Sequence, residues 1–183
     1  MVNQTAYVAL GANLGEPAKT VLRAVERMDA MLPGVRVAAR SRVWHTAPHE
    51  LEELEYPLPE CFRLKERAEG LARTAAPWYA NMVVRLECNA SVTLEALFEA
   101  LMALEAKLGR SRLFEKRYGP RVIDIDLLLF GYAVRETARL TLPHPRMMQR
   151  NFVVGPLREV VASGQGLFAA LKEKEASPIN LLV

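Results

Sequence analysis

Thr93-Leu-Glu-Ala-Leu-Phe-Glu-Ala-Leu-Met-Ala-Leu-Glu-Ala-Lys-Leu108 is the stretch from which the fold is read. Leu94, Leu97, Phe98, Leu101, Leu104 and Leu108 recur at three- and four-residue spacing, which lines up one apolar stripe on a helix. Gly109 follows where a left-handed cap belongs. On its N-terminal side Asn81-Met-Val-Val-Arg-Leu-Glu-Cys88 is rich in β-branched and apolar residues and reads as a strand. On its C-terminal side Val122-Ile-Asp-Ile-Asp-Leu-Leu-Leu-Phe130 reads as another, with Tyr132–Glu136 expected to return through a tight turn and pair with it.

The residues upstream follow the same order of elements. Thr5–Leu10 is a short apolar strand ended by Gly11-Ala-Asn-Leu-Gly15. Pro17 opens a helix whose apolar positions are Val21, Leu22, Val25, Met28 and Leu32, and Pro33-Gly34 stops it. Val35–Trp44 alternates well enough for a second strand. The order β-α-β-β-α-β predicts an α+β fold of the ferredoxin-like kind: an antiparallel sheet with both main helices packed on one face. A C-terminal extension of short helices and loops follows, set around Pro143, Pro145, Pro156 and Pro178, with one further helix possible at Leu167–Lys172. The chain reads as one domain over 1–183, with an insertion at about 49–77 between the second and third strands. The first part of that insertion, Glu50–Glu60, is acidic without a single basic residue.

Composition narrows the function. With 183 residues, 51% hydrophobic and 25% charged, the chain is neither disordered nor fibrous. A net charge of +3 does not demand nucleic acid, so any basic site must come from local clustering. Cys61 and Cys88 fit no metal-ligand spacing, and His45, His49 and His144 are too scattered for a usual zinc site. The N-terminus lacks the pattern of a signal peptide, and no apolar run approaches a bilayer span, so the expectation is a cytoplasmic protein without membrane contact.

The strongest chemical signal is Asp124-Ile-Asp126. Alternation along a strand puts both carboxylates on one face, where they repel and are costly to desolvate. A hard cation such as Mg²⁺ relieves that cost; the plain alternative is a pair of edge-strand aspartates facing water. Immediately upstream stand Lys107, Arg110, Arg112, Lys116, Arg117 and Arg121 against a single acid, Glu115. Guanidinium forks beside paired carboxylates are what a polyphosphate with bound Mg²⁺ requires, whereas a generic charged loop would need no such neighbour. There is no P-loop, and Gly11–Gly15 serves equally well as a plain strand-to-helix turn. His144, in Leu140-Thr-Leu-Pro-His-Pro145, reads as well as a buried structural histidine.

Tyr7–Gly15, Ser41–Thr46, Asn81, Gly109–Arg112, Tyr118–Asp126 and Leu142–Phe152 together carry a resemblance. The chain resembles the 6-hydroxymethyl-7,8-dihydropterin pyrophosphokinase family of folate biosynthesis, from about Tyr7 to Val160 outside the insertion. The resemblance implies transfer of the terminal diphosphate of ATP, the co-substrate, onto the pterin hydroxymethyl group with release of AMP. It implies that Asp124 and Asp126 bind two Mg²⁺ ions and, with Arg110 and Arg121, form the catalytic set. Arg110, Arg112, Tyr118, Arg121, Leu127, Arg139, Thr141, His144 and Arg150 fall on its ATP-binding positions. Thr46, Ala47, Pro48, Tyr79, Asn81, Asp124 and Phe152 fall on its pterin-binding positions. The implied partners are these two small molecules alone, with a monomer acting without nucleic acid or membrane. Two rival readings are a weakened relative that uses the insertion for protein contacts, and an RNA-binding module. The second is disfavoured because Asn81–Cys88 has no aromatic residue for stacking bases.

Overall fold

The computed structural model describes residues 3–31, 33–46, 78–110 and 121–161. The insertion at 49–77, Ala47, Pro48, Arg112, Tyr118 and the helix expected at 167–172 lie outside the described residues. In chain order the elements are β1 (Gln4–Ala12), α1 (Pro17–Met31), β2 (Val35–Arg40), β3 (Trp44–Thr46), β4 (Tyr79–Cys88), α2 (Leu94–Lys107), β5 (Asp124–Phe130), β6 (Arg135–Glu136), β7 (Thr141–Leu142) and α3 (Asn151–Val160).

The main sheet runs β2-β4-β1-β5, with β3 also on β4. Each pairing is antiparallel, so β1 and β2 point the same way with β4 between them: the expected split β-α-β arrangement. α1 and α2 cover one face. Val21, Ala24, Val25 and Met28 from α1, and Leu94, Leu97, Leu101 and Leu104 from α2, are buried against Ala6, Val8, Leu10, Met82, Val84, Leu86 and Ile125. Loss of a fully buried leucine such as Leu101 costs about 2–5 kcal/mol in a core of this kind. Thr93 caps α2 by accepting the Ala96 N–H at 3.1 Å, and Gly109 ends it at φ 96°.

Two expectations need correction. The strand expected at Val35–Trp44 is two strands. Ser41 donates its N–H to Val83 O (2.9 Å) and its hydroxyl, in place of a carbonyl, accepts the Val83 N–H (3.1 Å), so the ladder breaks here and pairing restarts at Trp44. Residues Tyr132–Glu136 do not pair with β5. The Gly131 N–H turns to Thr5 O (2.7 Å), β6 pairs with β7, and β5 instead receives the His144 N–H at Leu128 O (2.9 Å). The C-terminal extension contains a short helix, α3, as expected; it runs through Pro156 because Val153, Val154, Leu157 and Val160 pack on the second sheet face with Tyr7, Val83 and Leu128.

α3 covers only part of that second face. The part it leaves belongs to the ends of β4, β1 and β5, and there the chemistry collects. Among the described residues no helix is long and apolar enough to cross a membrane.

Candidate active site

Gly11 is the centre of the site's floor. On one side it pairs with Asn81 of β4, and on the other with Asp124 of β5. One step along, Ala9 pairs with Asp126. A Cβ on Gly11 would stand 3.1 Å from Asn81 Oδ1, so the bare backbone between the amide and the carboxylate is a packing requirement as well as a gap. The row continues outward, because Trp44 pairs with Asn81 and Thr46 with Tyr79. Asn81 Nδ2 donates to Thr46 Oγ1 at 2.7 Å, which fixes the amide's orientation.

Asp124 and Asp126 project from β5 onto this face, while Ile125 between them is buried beneath the sheet. Both Asp124 oxygens are engaged: Arg110 Nη1 donates to Oδ1 at 2.5 Å and Arg121 Nη1 to Oδ2 at 2.8 Å. Asp126 is held more loosely, with Arg150 Nη1 at 3.7 Å and His144 Nε2 at 3.9 Å from Oδ2. Burial, and then repulsion from Asp124, push the Asp126 carboxyl up to about 6 against the pull of Arg150 and Arg110. His144 is shifted the other way. Burial and then Arg150 and Arg146 lower its pKa, and its Nδ1 accepts the Arg146 N–H at 3.3 Å. The neutral ring therefore keeps its proton on Nε2, the nitrogen nearest Asp126.

Two supporting residues were not singled out in the sequence. Glu105, 1% exposed, sits in the last turn of α2. Its Oε1 accepts from Arg110 Nη1 (2.5 Å) and from the Ile125 N–H (2.6 Å), tying guanidinium and strand together. The signal was present: Glu105 falls four residues after Leu101 and three before Leu108, a charge on the buried stripe. Asn13, also 1% exposed, accepts the Arg121 N–H on Oδ1 (2.7 Å) and gives its own N–H to Arg121 O (3.2 Å). The glycine-flanked turn thus holds the backbone of a site arginine.

The remaining expected residues divide. Phe152 is half-buried at the start of α3, with the Arg150 guanidinium 5.6 Å from its ring centroid. Leu127 turns its side chain into the core beneath the sheet, leaving only its backbone beside the aspartates. Arg139 lies against α2, where Nη1 is 2.9 Å from Glu99 Oε1 and the guanidinium is 5.6 Å from the Phe98 ring. Thr141 stands on β7 opposite Glu136. Among the described residues, no group of three or more His, Cys, Asp or Glu comes together as a metal cage.

The family model for 7,8-dihydro-6-hydroxymethylpterin-pyrophosphokinase (HPPK) matches residues 7–162. The chain belongs to that family. It is 35% identical over 179 residues to the 2-amino-4-hydroxy-6-hydroxymethyldihydropteridine pyrophosphokinase of Methylorubrum extorquens, covering 96% of each chain. It is also 35% identical over 159 residues to the protein of that name from Bacillus subtilis, covering 87% of this chain and 79% of that one. A crystal structure of wild-type Plasmodium falciparum HPPK-DHPS with STZ-DHP shares the fold, with a TM-score of 0.56 at 12% identity. That match covers 96% of this chain and 44% of the solved chain, so the HPPK chain described here spans under half the length of that protein.

Proposed function

We propose that this HPPK chain transfers the terminal diphosphate of ATP to the hydroxymethyl group of 6-hydroxymethyl-7,8-dihydropterin, giving AMP and the dihydropterin diphosphate in folate biosynthesis. The observation that carries the reading is the row Asn81–Gly11–Asp124 across β4, β1 and β5. With neighbouring strands about 4.8 Å apart, amide and carboxylate stand roughly 10 Å from each other. A flat bicyclic heterocycle lying over Gly11 would present its amide edge to Asn81 and its one-carbon arm to the aspartates. Phe152 offers an aromatic edge and Tyr79 a second ring for that heterocycle.

Asp124 and Asp126 suit two Mg²⁺ ions. Their oxygens are hard donors, each side chain is about a third open to solvent (29% and 37%), and burial together with the charge of Asp124 disfavours a bare carboxylate at Asp126. Two carboxylates without a cage match an ion that completes its shell with water and phosphate oxygens. When bound, such ions neutralise phosphate charge and polarise the reacting oxygens.

The chain's own contribution is positioning and electrostatics. The hydroxymethyl oxygen forms a bond to the β-phosphorus, the bond from that phosphorus to the α-phosphate oxygen breaks, and the hydroxyl proton is lost to solvent. Arg110 and Arg121, fixed by Glu105 and Asn13, present guanidinium charge to the polyphosphate, with Arg112 and Tyr118 assigned to the same task. Arg150 and the Nε2–H of His144 supply donors on the Asp126 side. Arg139 and Thr141 belong to the adenosine side, and Leu127 takes part through its backbone. Ala47 and Pro48 complete the pterin side with Thr46. Such positioning accounts for much of the rate gain in phosphoryl-type transfers, and a strong base is not required.

The reading carries with it a cytoplasmic monomer with one domain over 1–183, interrupted at 49–77, acting without nucleic acid. The test is product analysis with ATP, Mg²⁺ and the dihydropterin. AMP formed in a one-to-one ratio with a pterin diphosphate supports the reading; ADP, or nucleotide turnover indifferent to pterin, overturns it.

A further inference from the structure

Glu159, in the last turn of α3, lies outside the aspartate cluster yet gathers three donors from the segment leading into β3. Its Oε2 accepts the Arg42 N–H (2.8 Å), and its Oε1 accepts Arg42 Nε (2.9 Å) and Trp44 Nε1 (2.9 Å). The Trp44 ring lies flush on α3 at Gly155, where an added Cβ would come within 2.5 Å of Cη2 and 2.7 Å of Cζ3. The Arg42 guanidinium lies 5.3 Å from the centroid of the same ring. Ser41, the residue before Arg42, is itself bonded to Val83. The crossing at 41–44 is therefore fastened at both ends, to β4 by Ser41 and to α3 by Glu159.

That fastening sets where β3 begins. Trp44 is held opposite Asn81, which brings Thr46 opposite Tyr79 and its hydroxyl within 2.7 Å of Asn81 Nδ2. With Nδ2 committed to Thr46, Oδ1 stands over Gly11. We propose that Glu159 is a positioning residue for the pterin half of the site, acting through Trp44 and β3 on the orientation of Asn81. The role rests on the pyrophosphokinase reading. Because α3 also carries Arg150 and Phe152 at its other end, one helix sets the nucleotide-side arginine and the pterin-side strand at a fixed separation.

The test is Glu159→Gln, with KM measured for each substrate and tryptophan emission recorded. Loss of one or two of these hydrogen bonds is expected to raise KM for the dihydropterin about fivefold to tenfold. KM for ATP and kcat should stay within about twofold, and the emission should shift to the red as Trp44 leaves its partner. An unchanged pterin KM, or an ATP KM that rises in step, overturns the proposal. Should Glu159→Gln not fold, Trp44→Phe removes the Nε1–H donor together with the indole atoms packed at Gly155 and must still produce a pterin-selective rise; without it the proposal fails. Wild-type protein that turns over no pterin contradicts the pyrophosphokinase reading instead, and the clamp is then decided by the emission shift alone.

Discussion

Glu105 Oε1 lies 2.6 Å from the backbone nitrogen of Ile125, the residue that separates the two aspartates of β5. The same oxygen receives Arg110, which in turn holds Asp124. A helix carboxylate thereby sets both the height of the strand and the direction of a site guanidinium. Its removal takes one of two carboxylates from Arg110, which keeps Asp124, and leaves the Ile125 N–H buried without its acceptor. Glu105→Ala is expected to lower stability by about 1–3 kcal/mol in urea unfolding. Glu105→Gln keeps an acceptor for Ile125 but not the charge, so it should fold and lose turnover about 10- to 100-fold. Equal turnover in Glu105→Gln and wild type would remove Glu105 from the account.

Gly11 separates the Asn81 amide from Asp124, the first aspartate of β5. Gly11→Ala puts a methyl 3.1 Å from Asn81 Oδ1, tight enough that the amide must shift by a few tenths of an ångström. Stability should change by no more than about 1–2 kcal/mol, since the added group points into the cleft and not the core. KM for the dihydropterin should rise about tenfold while KM for ATP holds. A variant that binds both substrates as wild type does would show that the heterocycle does not lie over this floor.

The crowding of charge at Asp126 has a consequence for stability in metal-free protein. Its carboxyl ionises near 3.8 in the unfolded chain and near 6 in the folded one, so the folded state holds its proton longer. The stabilising contribution is complete below the unfolded value and is lost as pH rises through the folded value. Asp126→Asn escapes that loss. In the presence of a chelator it should melt at a higher temperature than wild type at pH 7.5, with the gap closing by pH 4. A wild type that melts higher at pH 7.5 would mean that Arg150 and His144 already compensate the charge.

Much of this was legible in the sequence, and the physical reasons for the rest are specific. The stripe on α2 and the alternation in β5 are local patterns, and they correctly fixed the core face, the second helix and the shared direction of Asp124 and Asp126. The break at Ser41 was not legible, because its cause is a hydroxyl satisfied by Val83, 42 residues away. Short helices near Pro156 were legible, but not that α3 continues through that proline, because its apolar face on Tyr7, Val83 and Leu128 outweighs the local penalty. Glu105 and Asn13 act through backbone groups of Ile125 and Arg121, and a sequence displays side chains, not the amides they serve. Gly11 could be read as a turn residue, but its place between Asn81 and Asp124 depends on the register of three strands.

The central claim is that Asp124 and Asp126 act together at one cleft in diphosphate transfer. The most direct measurement is AMP formation by Asp126→Ala and wild type at saturating ATP, Mg²⁺ and dihydropterin, with pterin affinity measured alongside. The account predicts a fall in kcat of about a thousandfold or more with dihydropterin affinity changed only a few-fold. Wild-type turnover in Asp126→Ala would contradict it.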